Sequence, residues 1–222
     1  MAKNKIVVKG VGQATATPDL IVVEFNLEAV EQLYDATMVR STEQLEEIRA
    51  SLMSAGHDKS ALKTTHFAVE TKYDSFHDND GHWHQQFAGY RAAHSLHLEF
   101  DLDMEKLSLT LAAIGSCEAK PHLSIMFSVK DKNAVREELL TRGVEDALWK
   151  ARILADAAGV TLGDIISIDY NWSEHHIYSA TRLAVEAKPM RGAAAPEAAM
   201  DISPEDIKVN DSVKVTWVLA SL

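Results

Sequence analysis

The chain has 222 residues, 46% hydrophobic and 25% charged, enough to bury a substantial core in an ordinary globular composition. Its formal charge of −11 repels phosphate backbones and argues against a nucleic-acid partner. The single cysteine, Cys117, rules out an intramolecular disulfide and a multi-cysteine zinc cluster, and no stretch approaches the roughly 18 apolar residues of a membrane span.

Lys3 and Lys5 precede only a three-residue apolar run, Ile6 to Val8, too short for a secretory core. As written the chain reads as cytoplasmic, or as periplasmic if a leader has been removed. A first strand is predicted over Ile6 to Gln13, then a turn at Pro18. From Leu20 to Glu28, Ile21, Val23, Phe25 and Leu27 alternate with a partly polar set, the pattern of a half-buried antiparallel strand. A helix follows from about Leu33 to Ala55, with Met38, Leu45, Ile48, Leu52 and Ala55 on one stripe and Gly56 as its stop.

Leu62 to Tyr73 returns to strand character, and a long strand runs from Trp83 to Phe100 with a bulge or kink at Gly89. Asp101 or Asp103 caps a second helix, Met104 to Ile114. A short strand covers Leu123 to Val129. Asp131 caps a third helix that ends at Gly159, striped by Val135, Leu139, Val144, Leu148, Ala151, Leu154 and Ala158. Ile165 to Trp172 is a strand, residues 173–207 read as an exposed loop rich in Ala, Pro and charge, and Val209 to Leu219 closes the chain as a strand.

The order β-β-α-β-β-α-β-α-β-β pairs strands with strands. It predicts an α+β fold, three helices packed on a largely antiparallel sheet. The whole chain, 1–222, forms one domain, or two packed halves of about 1–100 and 101–222.

Between the third and fourth strands stands "HDNDGHWH", His77 to His84. Asp80-Gly81 is a preferred centre for a two-residue type I′ turn. With that centre, His77 faces His84 and shares one side of the hairpin with His82. Three imidazoles so placed form a candidate site for zinc or another transition metal. The competing reading is a solvated hairpin tip, because water satisfies polar side chains there and a zinc site needs partners that orient each ring. A calcium loop is excluded, since Phe76 and Phe87 would occupy its first and last ligand positions.

His94 and His97 point to opposite faces of one strand, and His175-His176 opens the loop. Arg91 is expected to pair with a neighbouring acid. Cys117 reads as a small residue at a helix end. No nucleophile elbow, phosphate loop or His-Glu-x-x-His motif is present, and the chain is expected to be no enzyme and to hold no resident cofactor. Trp83 at the hairpin tip and Trp149 off the main stripe of the third helix are candidate interface anchors for self-association.

The opening "IVVKGVGQATATPD", the stretch "FAGYRAAHSLHLEFDLDMEKLSLTLAAI", the segment "REELLTRGVEDALWKARILADAAGVTLGDIISID" and the ending "IKVNDSVKVTWVL" resemble the bacterial SIMPL-domain family in order and spacing, from about Ile6 to Leu219. The resemblance implies helices packed on a sheet, homo-oligomers in some members, and an envelope location in many. It implies a stress- or envelope-related role, and it carries no catalytic residue set.

Overall fold

The computed structural model describes residues 4–77, 82–170, 177–186 and 202–221. Its strands are β1 (Lys5–Ala16), β2 (Leu20–Glu31), β3 (Lys63–His77), β4 (Trp83–Asp101), β5 (His122–Ser128), β6 (Val160–Tyr170), β7 (Tyr178–Glu186) and β8 (Ile207–Ser221). Its helices are α1 (Tyr34–Ser54), α2 (Met104–Gly115) and α3 (Lys132–Ala157). The α+β class and the order of elements read from the sequence hold. One further strand, β7, lies inside the stretch 173–207 read as a loop; its weak alternation is submerged in the Ala- and charge-rich composition around it.

The chain forms two compact units. Unit 1 takes Met1–Asp19, Ser128–Ala180 and Pro204–Leu222, and unit 2 takes Leu20–Phe127 and Thr181–Ser203. They do not coincide with halves of about 1–100 and 101–222, because β8 returns to pair with β1 along its whole length.

Unit 1 contains a three-stranded sheet in the order β1-β8-β6, antiparallel throughout. Helix α3 lies on it. Asp131 caps α3 as expected, its carboxylate accepting from Ala134 N–H at 2.9 Å. The buried row of α3 is Val135, Leu139, Gly143, Ala147, Ala151 and Ala155, smaller than the stripe read from the sequence, and Leu154 is exposed. The reason is close approach: a Cβ on Gly10 would collide with the Gly143 carbonyl and lie 2.7 Å from Ala147 Cβ, and one on Gly12 would collide with the Leu139 carbonyl. Backbone here packs on backbone, so only small side chains fit the seam. Val8, Val213, Val215 and Trp217 fill the core on one side of it.

Polar side chains of α3 also reach the free edge of β1. Asp146 accepts from Val11 N–H at 2.7 Å, Arg142 donates to the Gln13 carbonyl at 2.8 Å, and Lys150 donates to the Lys9 carbonyl at 3.4 Å. The helix thereby satisfies edge groups that would otherwise offer pairing to another strand.

Unit 2 is built on the sheet β3-β4-β2-β5-β7. Ile21, Val23, Phe25 and Leu27 of β2 and Leu96, Leu98 and Phe100 of β4 face Ile48 and Leu52 of α1 and Leu107 and Ile114 of α2. Asp103 caps α2 by accepting from Lys106 N–H at 2.9 Å. The buried face of α1 is partly polar: Thr37, Ser41 and Gln44 join Ile48 and Leu52. The bulge read at Gly89 is present, where the register steps from Lys72↔Gly89 to Tyr73↔Phe87. Gly89 has φ +126° and a Cβ there would press on the Glu31 backbone, which is why glycine is required.

Candidate aromatic hairpin and its surroundings

The β3–β4 hairpin outruns its sheet. From Tyr73 to His77 and from His82 to Phe87 every described residue is exposed. Its register is Tyr73↔Phe87, Phe76↔His84 and His77↔Trp83. The expected facing of His77 and His84 is therefore corrected. The pairing is displaced by one residue from a turn centred on Asp80-Gly81, and a one-residue displacement moves a side chain to the other face. His77 packs at a tilt against Trp83 at 4.1 Å between ring centroids, while His84 stacks on Phe76 at 5.6 Å on the opposite face. His82 precedes β4, and Asp78 to Gly81 lie outside the described residues. Among the described residues no group of three or more His, Cys, Asp or Glu side chains is placed to hold a metal ion.

The same register collects aromatic rings. Tyr73, Phe87, Trp83 and His77 occupy one face, because β3 and β4 each present alternate residues to it. Tyr73 meets Phe87 edge to face at 6.1 Å, Phe87 meets Tyr90 at 5.5 Å, and Tyr90 meets Tyr34 at the start of α1 at 5.7 Å. An aromatic run thus leads from the helix out along the ribbon. Sequence reasoning found Trp83 and missed the run, because the bulge at Gly89 changes the parity that aligns these rings. Trp83 is 68% exposed and meets the ring of His77, and Trp149 on α3 is 62% exposed.

The remaining histidines separate as read. His97 is on the outer face, 3.0 Å from Glu99. His94 is buried, its Nε2 2.9 Å from Thr64 Oγ1 and its Nδ1 without a hydrogen-bond partner. Burial, with the nearby Arg49 charge second, lowers its pKa from the ordinary 6.5. His57 is also buried and shares a 2.7 Å hydrogen bond with Thr110 Oγ1; burial and then Lys106 lower its pKa. His175 and His176 lie outside the described residues. Arg91 pairs with Glu70 at 3.3 Å and Glu28 at 3.8 Å, as expected. Cys117 is a buried thiol past the end of α2. No helix among the described residues is long and apolar enough to cross a membrane.

The antiparallel strands and three helices, in the order read from the sequence, define the class. The chain belongs to the SIMPL family, whose model, described as a protein of unknown function (DUF541), matches residues 6–217. It is 23% identical over 217 residues to the uncharacterized protein YggE of Edwardsiella ictaluri, covering 97% of this chain and 87% of that one. It is 25% identical over 224 residues to the 26 kDa periplasmic immunogenic protein of Brucella melitensis, covering 96% of this chain and 84% of that one. A protein of the same description from Brucella abortus matches to the same extent.

Proposed function

We propose that this protein is a non-catalytic, self-associating module of the bacterial periplasm, and that copies meet through the aromatic face of the β3–β4 hairpin. One observation carries the reading. A two-stranded ribbon is marginally stable in water on its own, yet this one extends exposed Tyr73, Trp83 and Phe87 on a single face. Contiguous exposed aromatics rimmed by polar residues mark a surface that is covered in the working state. A second copy supplies the same face and closes the contact by two-fold symmetry. The oligomers implied by the family resemblance support a copy of this chain as the occupant, and the Brucella relatives' description as periplasmic supports the location.

Light scattering on the full chain at tens of micromolar tests this. The parent is expected to show a discrete oligomer, and Trp83→Ser with Phe87→Ser a monomer with unchanged far-ultraviolet circular dichroism. A parent that stays monomeric sinks the reading, and so does a folded double variant of unchanged mass.

A further inference from the structure

The sheet of unit 1 has a second side, turned away from α3, and across it runs a row of charges. Lys9 of β1 stands directly opposite Lys214 of β8, and Lys214 stands directly opposite Asp169 of β6. All three are exposed. They border an open hollow of about 640 Å³, to which Ser212 and the chain at Ile168, Tyr170 and Val213 also contribute. Val213 and Tyr170 send their side chains into the core under α3, so their backbone forms the floor. Alternation along the strands turns Lys9, Ser212, Lys214 and Asp169 the other way, and these side chains form the walls.

We propose that this hollow binds a phosphate ester that carries an ammonium group. Directly opposed residues have Cβ atoms roughly 4.5–5.5 Å apart, and like charges so placed destabilise the sheet. In a chain with 33 acids against 22 lysines and arginines, a pair of opposed lysines is expected to draw a carboxylate. Lys59 and Lys150 do so, with Glu46 and Asp146. Among the described residues Lys9 and Lys214 have no carboxylate within ion-pair distance. An anion between the two ammonium groups removes their repulsion. A phosphate has oxygens enough to accept from both at once, in the stronger, charge-assisted kind of hydrogen bond.

Asp169 sets the other end of the ligand. It faces Lys214 in the ladder but forms no ion pair with it, and its carboxylate accepts only a long hydrogen bond, 3.4 Å, from Ser167 Oγ. Against a bare phosphate this acid is a cost. Against an ammonium group it is a partner, and it lies one strand spacing beyond Lys214, roughly 4.7–4.9 Å, within reach of an ammonium two carbons from the phosphate. Two cations followed by one anion thus select a ligand with its charges in the complementary order. Ser212, two residues along β8 from Lys214, adds a hydroxyl to the wall on the phosphate side. The volume suits a small molecule, whose sites run from roughly 300 to 1,000 Å³. The hollow belongs to unit 1, and the inference stands apart from the hairpin contact.

Phosphoethanolamine, ethanolamine and glycerol phosphate are the probes, with the full chain, by calorimetry at low salt. Phosphoethanolamine is expected to bind one per chain with a Kd on the order of 1 mM, and the other two, each lacking one of its charges, at least about tenfold more weakly. Lys9→Ala and Lys214→Ala, at exposed positions, are each expected to weaken phosphoethanolamine at least about tenfold with circular dichroism unchanged. Asp169→Asn is expected to weaken phosphoethanolamine and to leave glycerol phosphate as it was or tighter, a split that a merely structural role would not produce. No saturable binding of phosphoethanolamine overturns the proposal. So does either partial probe binding as tightly, or a folded lysine variant binding as the parent does; should one lysine variant not fold, the other decides. Co-sedimentation with phosphatidylcholine vesicles containing phosphatidylethanolamine then separates the two sources of this chemistry: binding assigns a lipid headgroup, and its absence a soluble ester.

Discussion

Two buried histidines set how unit 2 answers to acid. His57 joins Thr110 of α2, and His94 joins Thr64 of β3. Both have folded-state pKa values below the 6.5 of an unfolded histidine. The folded protein therefore resists protons that the unfolded chain accepts. Their contribution is fully present above pH 6.5 and is lost as pH falls through 6.5 toward the lower folded value. Urea midpoints measured from pH 7.5 to 5 are expected to fall, and His57→Gln with His94→Gln to flatten that slope; a double variant as acid-sensitive as the parent removes these residues from the account. That His94 and His97 take opposite faces was legible from their three-residue spacing; which of them is buried was not. Nor was the relation of His77 to His84. It hangs on the length of the connection between two strands, and a two-residue Asp-Gly centre and a longer one leave the same letters in the sequence.

At the scale of elements, caps and stops read well because they are local. Asp103 and Asp131 each bond the backbone three residues on, and no distant contact alters that. The face of α3 read poorly because it is decided from outside the helix. Gly10 and Gly12 bring β1 so near that Gly143 and Ala147 outrank the leucines on either side. The edge contacts of α3 were equally hidden, since nothing local pairs Asp146 with Val11 across 135 residues. The Asp146 carboxyl lies below the usual aspartate range, held there by its hydrogen bond from Lys150 and then by that from Val11 N–H. Asp146→Ala is expected to cost about 1–2 kcal/mol by orphaning that amide and its lysine, with Asp146→Asn, which keeps an acceptor, costing less. Equal losses from the two in urea unfolding would show that the edge contact contributes nothing beyond charge.

At the scale of the whole molecule, alternation and periodicity gave the class and order of elements, but not their partition into units. Strand pairing is non-local, and no composition shift marks that Lys5 pairs with Val218. The aromatic face of the hairpin was legible only as Trp83, because its other rings are aligned by the strand register and the bulge at Gly89.

The placing of β8 between β1 and β6 bears on synthesis. At about 5–20 residues per second, Lys5 waits roughly 10–40 s for Val218 to leave the ribosome. Until then β1 and β6 have no common neighbour, and α3 has only an unfinished surface to settle on. Residues Leu20–Phe127 meet no such delay, since β2, β3 and β4 are adjacent in the chain. A nascent chain arrested before β8 emerges is expected to resist limited proteolysis across β2 to β4 and to be cut within β1 and β6. Uniform resistance would mean that another strand stands in for β8, and uniform cutting that nothing folds before the last strand arrives. The apolar face of β1 is thus the face that waits longest for its partner strand during synthesis.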